Sequence, residues 1–101
     1  MKFDKSKKLL VIGRAGMDIY PEPPGTKISD VQEFSTHLGG SAANTCVALS
    51  KLGVSSDLVT CISDDAIGEY IFKKLEDFNV GSNLCRKVDK KFQTQVAVVE
   101  T

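Results

Sequence analysis

LGGSAANTCVALSKLG, running from Leu38 to Gly53, decides the fold. Its two adjacent glycines let the backbone turn sharply and let a ligand approach the main chain with no side chain in the way. Ser41 then opens a helix over Ala42 to Leu52, and Gly53 stands where a helix stops. Ala42, Cys46, Leu49 and Gly53 fall near one face of it. Ala43, Val47 and Ala48 widen the apolar surface with small groups, so the helix is expected to pack closely on a sheet. The first amides of a helix are unpaired donors at the positive end of its dipole. Asn44, one turn in, adds a donor and an acceptor. Such a mouth suits the hydroxyls of a polyol, and it also suits a phosphate. No Lys-Ser or Lys-Thr pair follows, so this is not a Walker A loop. Gly13 and Gly16, with no third glycine, do not form a dinucleotide fingerprint. A tight turn with no ligand at all is the competing reading of Gly39-Gly40.

On the N-terminal side, Leu9 to Ile12 is a continuous apolar run ending at Gly13, which predicts a strand buried on both faces of a parallel sheet. RAGMDIY follows, with Arg14 and Asp18 just beyond the strand's carboxyl end, where ligands of parallel sheets gather. A carboxylate there can accept two hydroxyl hydrogen bonds, or it can cap its own turn. Arg14 offers a planar fork for a carboxylate or phosphate, or a surface ion pair. Pro21, Pro23, Pro24 and Gly25 are not expected inside a helix or a central strand. Ile19 to His37 therefore reads as an excursion, with Ile28 to Phe34 able to supply a short edge strand. His37, the single histidine, has no nearby nucleophile or second ligand and reads as structural. Excursions of this length are commonly functional.

On the C-terminal side, Asp57 to Ile62 reads as the next strand, and Asp64 and Asp65 as N-cap candidates. Ile67, Ile71, Leu75 and Phe78 mark one helical stripe, ended by Asn79-Val80-Gly81. Gln95 to Glu100 is a last strand. The order strand, excursion, helix, strand, helix, strand predicts a parallel α/β sheet with right-handed crossovers.

Composition agrees with a small globular domain. The chain has 101 residues, 42% hydrophobic and 26% charged, with 13 basic and 13 acidic side chains. That balance removes the electrostatic case for nucleic acid or an anionic membrane as partner. The basic run Lys2 to Lys8 reads as a solvated tail. No apolar stretch approaches the roughly 20 residues of a membrane span, and the start lacks a signal-peptide pattern, so a cytoplasmic location is expected. Cys46, Cys61 and Cys85 have wide spacing and no CxxC partner, which excludes a zinc cluster and predicts reduced thiols, buried where they sit in apolar runs, as Cys46 and Cys61 do.

GGSAANTCVALSKLG, continuing to SDDAIG, resembles the first signature of the ribokinase-like (pfkB-type) family of carbohydrate kinases, with Gly39, Gly40, Asn44, Gly53 and Gly68 in register. LLVIGRAGMDIY resembles that family's first strand and its sugar-contacting Asp. The similarity covers nearly the whole chain but only the N-terminal third or so of a family member, and the last residues are an apolar strand, so a truncated chain is expected. The resemblance implies a ribokinase-like parallel sheet flanked by helices, with a small β lid inserted after the first strand and formed by about residues 19–37 and 92–101. It implies that Asp18 holds sugar hydroxyls and that Gly39, Gly40, Ser41 and Asn44 line the same pocket. It also implies a lid that closes over the site and can carry a homodimer contact, and a reaction that moves a phosphoryl group from ATP, with Mg2+, to a sugar hydroxyl. RAGMDIYPEPPGTKI and VAVVET are most similar to members that act on the sugar acid 5-dehydro-2-deoxygluconate. Most members carry Asn-x-Asp where this chain has Gly16-Met17-Asp18. That departure, with Arg14 two residues earlier, suits a substrate carboxylate held by Arg14. The Gly-Ala-Gly-Asp segment that supplies the family's catalytic base does not occur here. The resemblance therefore places the catalytic and nucleotide-binding residues outside this chain, which is expected to have no kinase activity alone. A non-catalytic α/β binding module is the reading from a different class.

Overall fold

The computed structural model describes residues 6–101. In chain order the elements are β1 (Leu9–Ile12), β2 (Gly16–Glu22), a 3-10 turn (Ile28–Asp30), β3 (Glu33–Gly39), α1 (Ser41–Lys51), β4 (Ser56–Ser63), α2 (Ala66–Asp77), β5 (Cys85–Val88) and β6 (Val96–Val98). They form two three-stranded sheets. In the first, β4 lies between β1 and β5 and all strands are parallel, with Leu9 opposite Ser56 and Thr60 opposite Cys85. In the second, β2 lies between β3, antiparallel to it, and β6, parallel to it. The α/β architecture with a small β-sheet inserted after the first strand is the one expected.

Both helices share one core with the parallel sheet. Ala43 and Cys46 of α1, Leu58 and Ile62 of β4, and Ile71 and Leu75 of α2 are all at 0% exposure. Burying a Leu or Ile this fully contributes roughly 1.5–3 kcal/mol, so the stripe read at Ile67, Ile71 and Leu75 is the main attachment of α2. Phe78 is the exception to that stripe. It lies half exposed just past the helix end, with the Lys51 ammonium 5.8 Å from its ring.

The helix ends follow local rules. Asp65 caps α2: its carboxylate accepts from the Gly68 amide at 2.9 Å and from the Ser63 hydroxyl at 2.9 Å. These two bonds hold the Asp65 carboxyl below its ordinary pKa, the amide bond being the larger cause. Both helices stop in Schellman motifs. The Val54 amide reaches the Leu49 carbonyl past Gly53 (φ +79°), and the Val80 amide reaches the Leu75 carbonyl past Asn79 (φ +57°).

Several expectations need correction. Leu9–Ile12 is buried on one face only: Leu10 is 61% and Ile12 80% exposed, because nothing among the described residues covers that side of the sheet. Cys61 is exposed there for the same reason. Pro21 lies inside β2, the central strand of its sheet, and is fully buried. The ladder tolerates it because the Met17 amide bonds Gln95 and the Ile19 carbonyl accepts from Val99, so alternate residues face β6. Pro21, the next in that series, falls past the end of β6 where no N–H is required. Ile28–Asp30 is a 3-10 turn, and the strand after it starts at Glu33. The last strand, Val96–Val98, joins β2, in the small sheet to which the resemblance assigned it and not in the parallel sheet that element order alone suggested; the third strand of the parallel sheet is the unanticipated β5. Met1–Lys5 lie outside the described residues. Lys8, at the end of the basic run, is 3.6 Å from Asp57, an ion pair where solvent alone was expected.

Candidate functional site

The site lies where β2, β3 and the start of α1 converge. Side chains alternate along a strand, so Asp18, Tyr20 and Glu22 of β2 share a face with Ser35 and His37 of β3, Asp18 standing directly opposite His37 and Tyr20 opposite Ser35. Together with Asn44, these residues line a cavity of about 500 Å³ that runs along α1 to Lys51 and Phe78.

The two glycines are dictated by this packing. A Cβ on Gly39 would overlap the Asp18 carboxylate, so the carboxylate rests directly on bare backbone. Gly40 has φ +96°, and a Cβ there would overlap the Arg14 carbonyl. It is the N-cap of α1, and with no side chain it caps nothing. Its carbonyl takes the Asn44 amide at 3.0 Å, the first turn of the helix. The helix therefore begins, uncapped, two residues after the glycine on which Asp18 rests, and the first amides of a helix favour an electron-rich ligand.

The remaining predicted residues separate. Ser41 is the first residue of α1 and exposed, and its carbonyl accepts from the Thr45 hydroxyl at 2.8 Å; like Gly39 and Gly40, it is not among the residues lining the cavity. Arg14 is exposed and faces a second groove of about 270 Å³ with Thr94 and Gln95. Its Nη1 donates to Gln95 Oε1 at 2.6 Å. The neighbouring Thr94 hydroxyl accepts from the Ser63 amide at 2.9 Å and lies 2.6 Å from the Ser63 hydroxyl. Thr94 and Gln95 thus fasten the approach to β6 onto the end of β4 and the start of β2. Among the described residues no group of three or more His, Cys, Asp or Glu side chains is placed to hold a metal ion.

Tyr20, Glu22, Ser35 and His37 were not anticipated at the site. The signal was present in the alternation Asp18, Tyr20, Glu22, but the prolines after Tyr20 directed the reading towards turns. His37, read as structural, is exposed in the cavity wall.

The model of the pfkB family of carbohydrate kinases matches residues 6–101. The chain belongs to this family. A 5-dehydro-2-deoxygluconokinase of Photobacterium profundum is 43% identical over 67% of the chain and 20% of its own length. One from Listeria innocua is 33% identical over 81% of the chain and 24% of its own length. Among solved structures, an uncharacterized sugar kinase of Pyrococcus horikoshii in complex with ATP superimposes with a TM-score of 0.80 at 32% identity, over 91% of the chain and 30% of that structure. A 2-dehydro-3-deoxygluconokinase of Thermotoga maritima, 20% identical over 92% of the chain and 28% of its own, superimposes with a TM-score of 0.84 and supports the fold alone. This pfkB family chain thus spans about a fifth to a third of the length of these relatives.

Proposed function

We propose that this chain is the sugar-holding part of an ATP-dependent carbohydrate kinase whose acceptor is a sugar acid, 5-dehydro-2-deoxy-D-gluconate. The observation that carries the reading is the Asp18 carboxylate lying on Gly39, beside the uncapped start of α1 and Asn44. A carboxylate, free amides and a carboxamide together accept from and donate to several hydroxyls of one ligand. The names of the relatives support the sugar acid. In this proposal the small sheet acts as a lid: closure excludes water so that the phosphoryl group reaches a hydroxyl of the sugar. ATP and Mg2+ bind to the rest of the kinase, which also supplies the catalytic base, in the cytoplasm, and a second copy docks through the lid. The chain alone has no kinase activity.

A coupled assay of the full-length protein with MgATP tests this, using 5-dehydro-2-deoxygluconate, 2-keto-3-deoxygluconate, fructose, ribose and a nucleoside. The highest kcat/KM is expected for 5-dehydro-2-deoxygluconate. A preference for fructose or ribose would move the assignment to an uncharged sugar, and no turnover on any of them would favour a binding module. Arg14→Ala should raise KM for the acid more than for an uncharged analogue; an equal rise would remove Arg14 as the carboxylate's partner. Since Arg14 faces the second groove and bonds Gln95, this role requires the guanidinium to exchange that bond for the substrate.

A further inference from the structure

We propose that His37 is a substrate-contacting residue of the same pocket, accepting a sugar hydroxyl through Nδ1 next to the hydroxyl held by Asp18. This deepens the sugar-binding reading and rests on it.

The argument starts from one proton. The Ser35 hydroxyl donates to Glu22 Oε1 at 2.7 Å. The Ser35 Oγ also lies 3.1 Å from His37 Nε2. A hydroxyl has a single hydrogen, and Ser35 has given it to Glu22, so Nε2 must carry the hydrogen of this second bond. The neutral ring then holds its proton on Nε2 and offers Nδ1 as an acceptor. The edge of the ring is fixed as well: Tyr20 meets it at 5.1 Å between centroids and 86° between planes. Tautomer and orientation are thus set by three residues of the hairpin.

Nδ1 has no hydrogen-bond partner among the described residues, and neither has the Asp18 carboxylate. Asp18 and His37 line the same cavity, and they are direct cross-strand partners, which places their Cβ atoms about 5 Å apart. Two acceptors with no protein partner, on side chains that stand side by side on one face, match two neighbouring hydroxyl donors of one polyol.

Steady-state kinetics of the full-length kinase with the preferred sugar tests the assignment. His37→Ala is expected to raise the sugar KM roughly tenfold, with kcat and the ATP KM within about twofold. His37→Asn, whose amide oxygen falls near the Nδ1 position, should recover KM to within about threefold of wild type, whereas His37→Gln, which reaches the Nε2 position, should behave as His37→Ala. Ser35→Ala, which frees the tautomer without touching the cavity acceptor, should raise KM by less than His37→Ala. An unchanged KM in His37→Ala overturns the inference. So does rescue by Gln in place of Asn, or a loss shared equally among kcat, both KM values and the melting temperature, since each marks a structural role. A wild type that phosphorylates none of the sugars removes the kinase reading and this inference together. A wild type that phosphorylates one while His37→Ala keeps its KM removes this inference alone.

Discussion

Gly39 and Gly40 are neighbours with different obligations. At Gly39 a methyl group would meet the end of the Asp18 side chain, which can rotate away; at Gly40 it would meet the Arg14 backbone carbonyl at a φ of +96°, which cannot. Gly40→Ala is therefore expected to destabilise the protein by about 2–4 kcal/mol, and Gly39→Ala by about 1 kcal/mol or less while raising the sugar KM at least as much as Asp18→Ala does. Urea denaturation and steady-state kinetics of the full-length protein separate the two, and equal stabilities would refute the difference. At this scale the sequence was informative about Gly40 and Asn44, because a backbone that turns sharply and a helix start are local events, while Asp18 was singled out by the family resemblance. Ser41, Arg14 and His37 were harder to read. Which way Arg14 points depends on Gln95, 81 positions away, and the open acceptor of His37 depends on Glu22 and Ser35 across a strand pair.

Elements with a strong period or a clear cap were legible. The stripe of α2 follows from spacing, and its cap at Asp65 from a side chain that competes for the first amides. Leu75→Ala should cost about 2–5 kcal/mol through the cavity left in the core, and Phe78→Ala under about 1 kcal/mol, since Phe78 is 36% exposed; chemical denaturation of both variants checks the ratio. β5 escaped notice because Cys-Arg-Lys-Val is short, charged and at a sheet edge, where alternation carries little information. β2 escaped notice because Pro21 argues against a central strand, and only the length of β6 makes it acceptable. The link between the two sheets was equally invisible. Thr94→Val would leave the Ser63 amide, held at 2.9 Å by the Thr94 hydroxyl, without its acceptor in a buried position. A loss of about 1–3 kcal/mol is expected in urea denaturation, with Thr94→Ser staying within about 0.5 kcal/mol of wild type.

At the scale of the whole molecule, the parallel sheet has one face under the helices and one face open, and the three thiols report on the difference. Cys46 is buried, Cys61 exposed and Cys85 between them. Burial pushes the Cys85 thiol up to about 11 from 9.0, and its Sγ–H donates to the Leu58 carbonyl at 3.3 Å. In the 101-residue chain, alkylation at pH 8 followed by mass spectrometry should mark Cys61 first, Cys85 slowly and Cys46 only on unfolding. In the full-length protein Cys61 should be protected, and fast labelling there would show that its face stays open. Because the folded thiol keeps its proton to a higher pH than the unfolded one, the contribution of Cys85 to stability is whole below pH 9 and is lost as pH rises towards 11; Cys85→Ala should flatten that part of the pH–stability curve. The sequence by itself determined the α/β class and both helices with their ends, since caps, periodicity and glycine geometry act over a few residues, whereas the grouping of Asp18 with Gly39, Gly40 and Asn44 came from the family resemblance. Only the tertiary structure decided that β5 edges the parallel sheet, that Pro21 sits within a sheet, that Arg14 turns to Gln95 and that His37 faces the cavity. Those outcomes depend on partners remote along the chain, and no local pattern encodes which strand will lie alongside which.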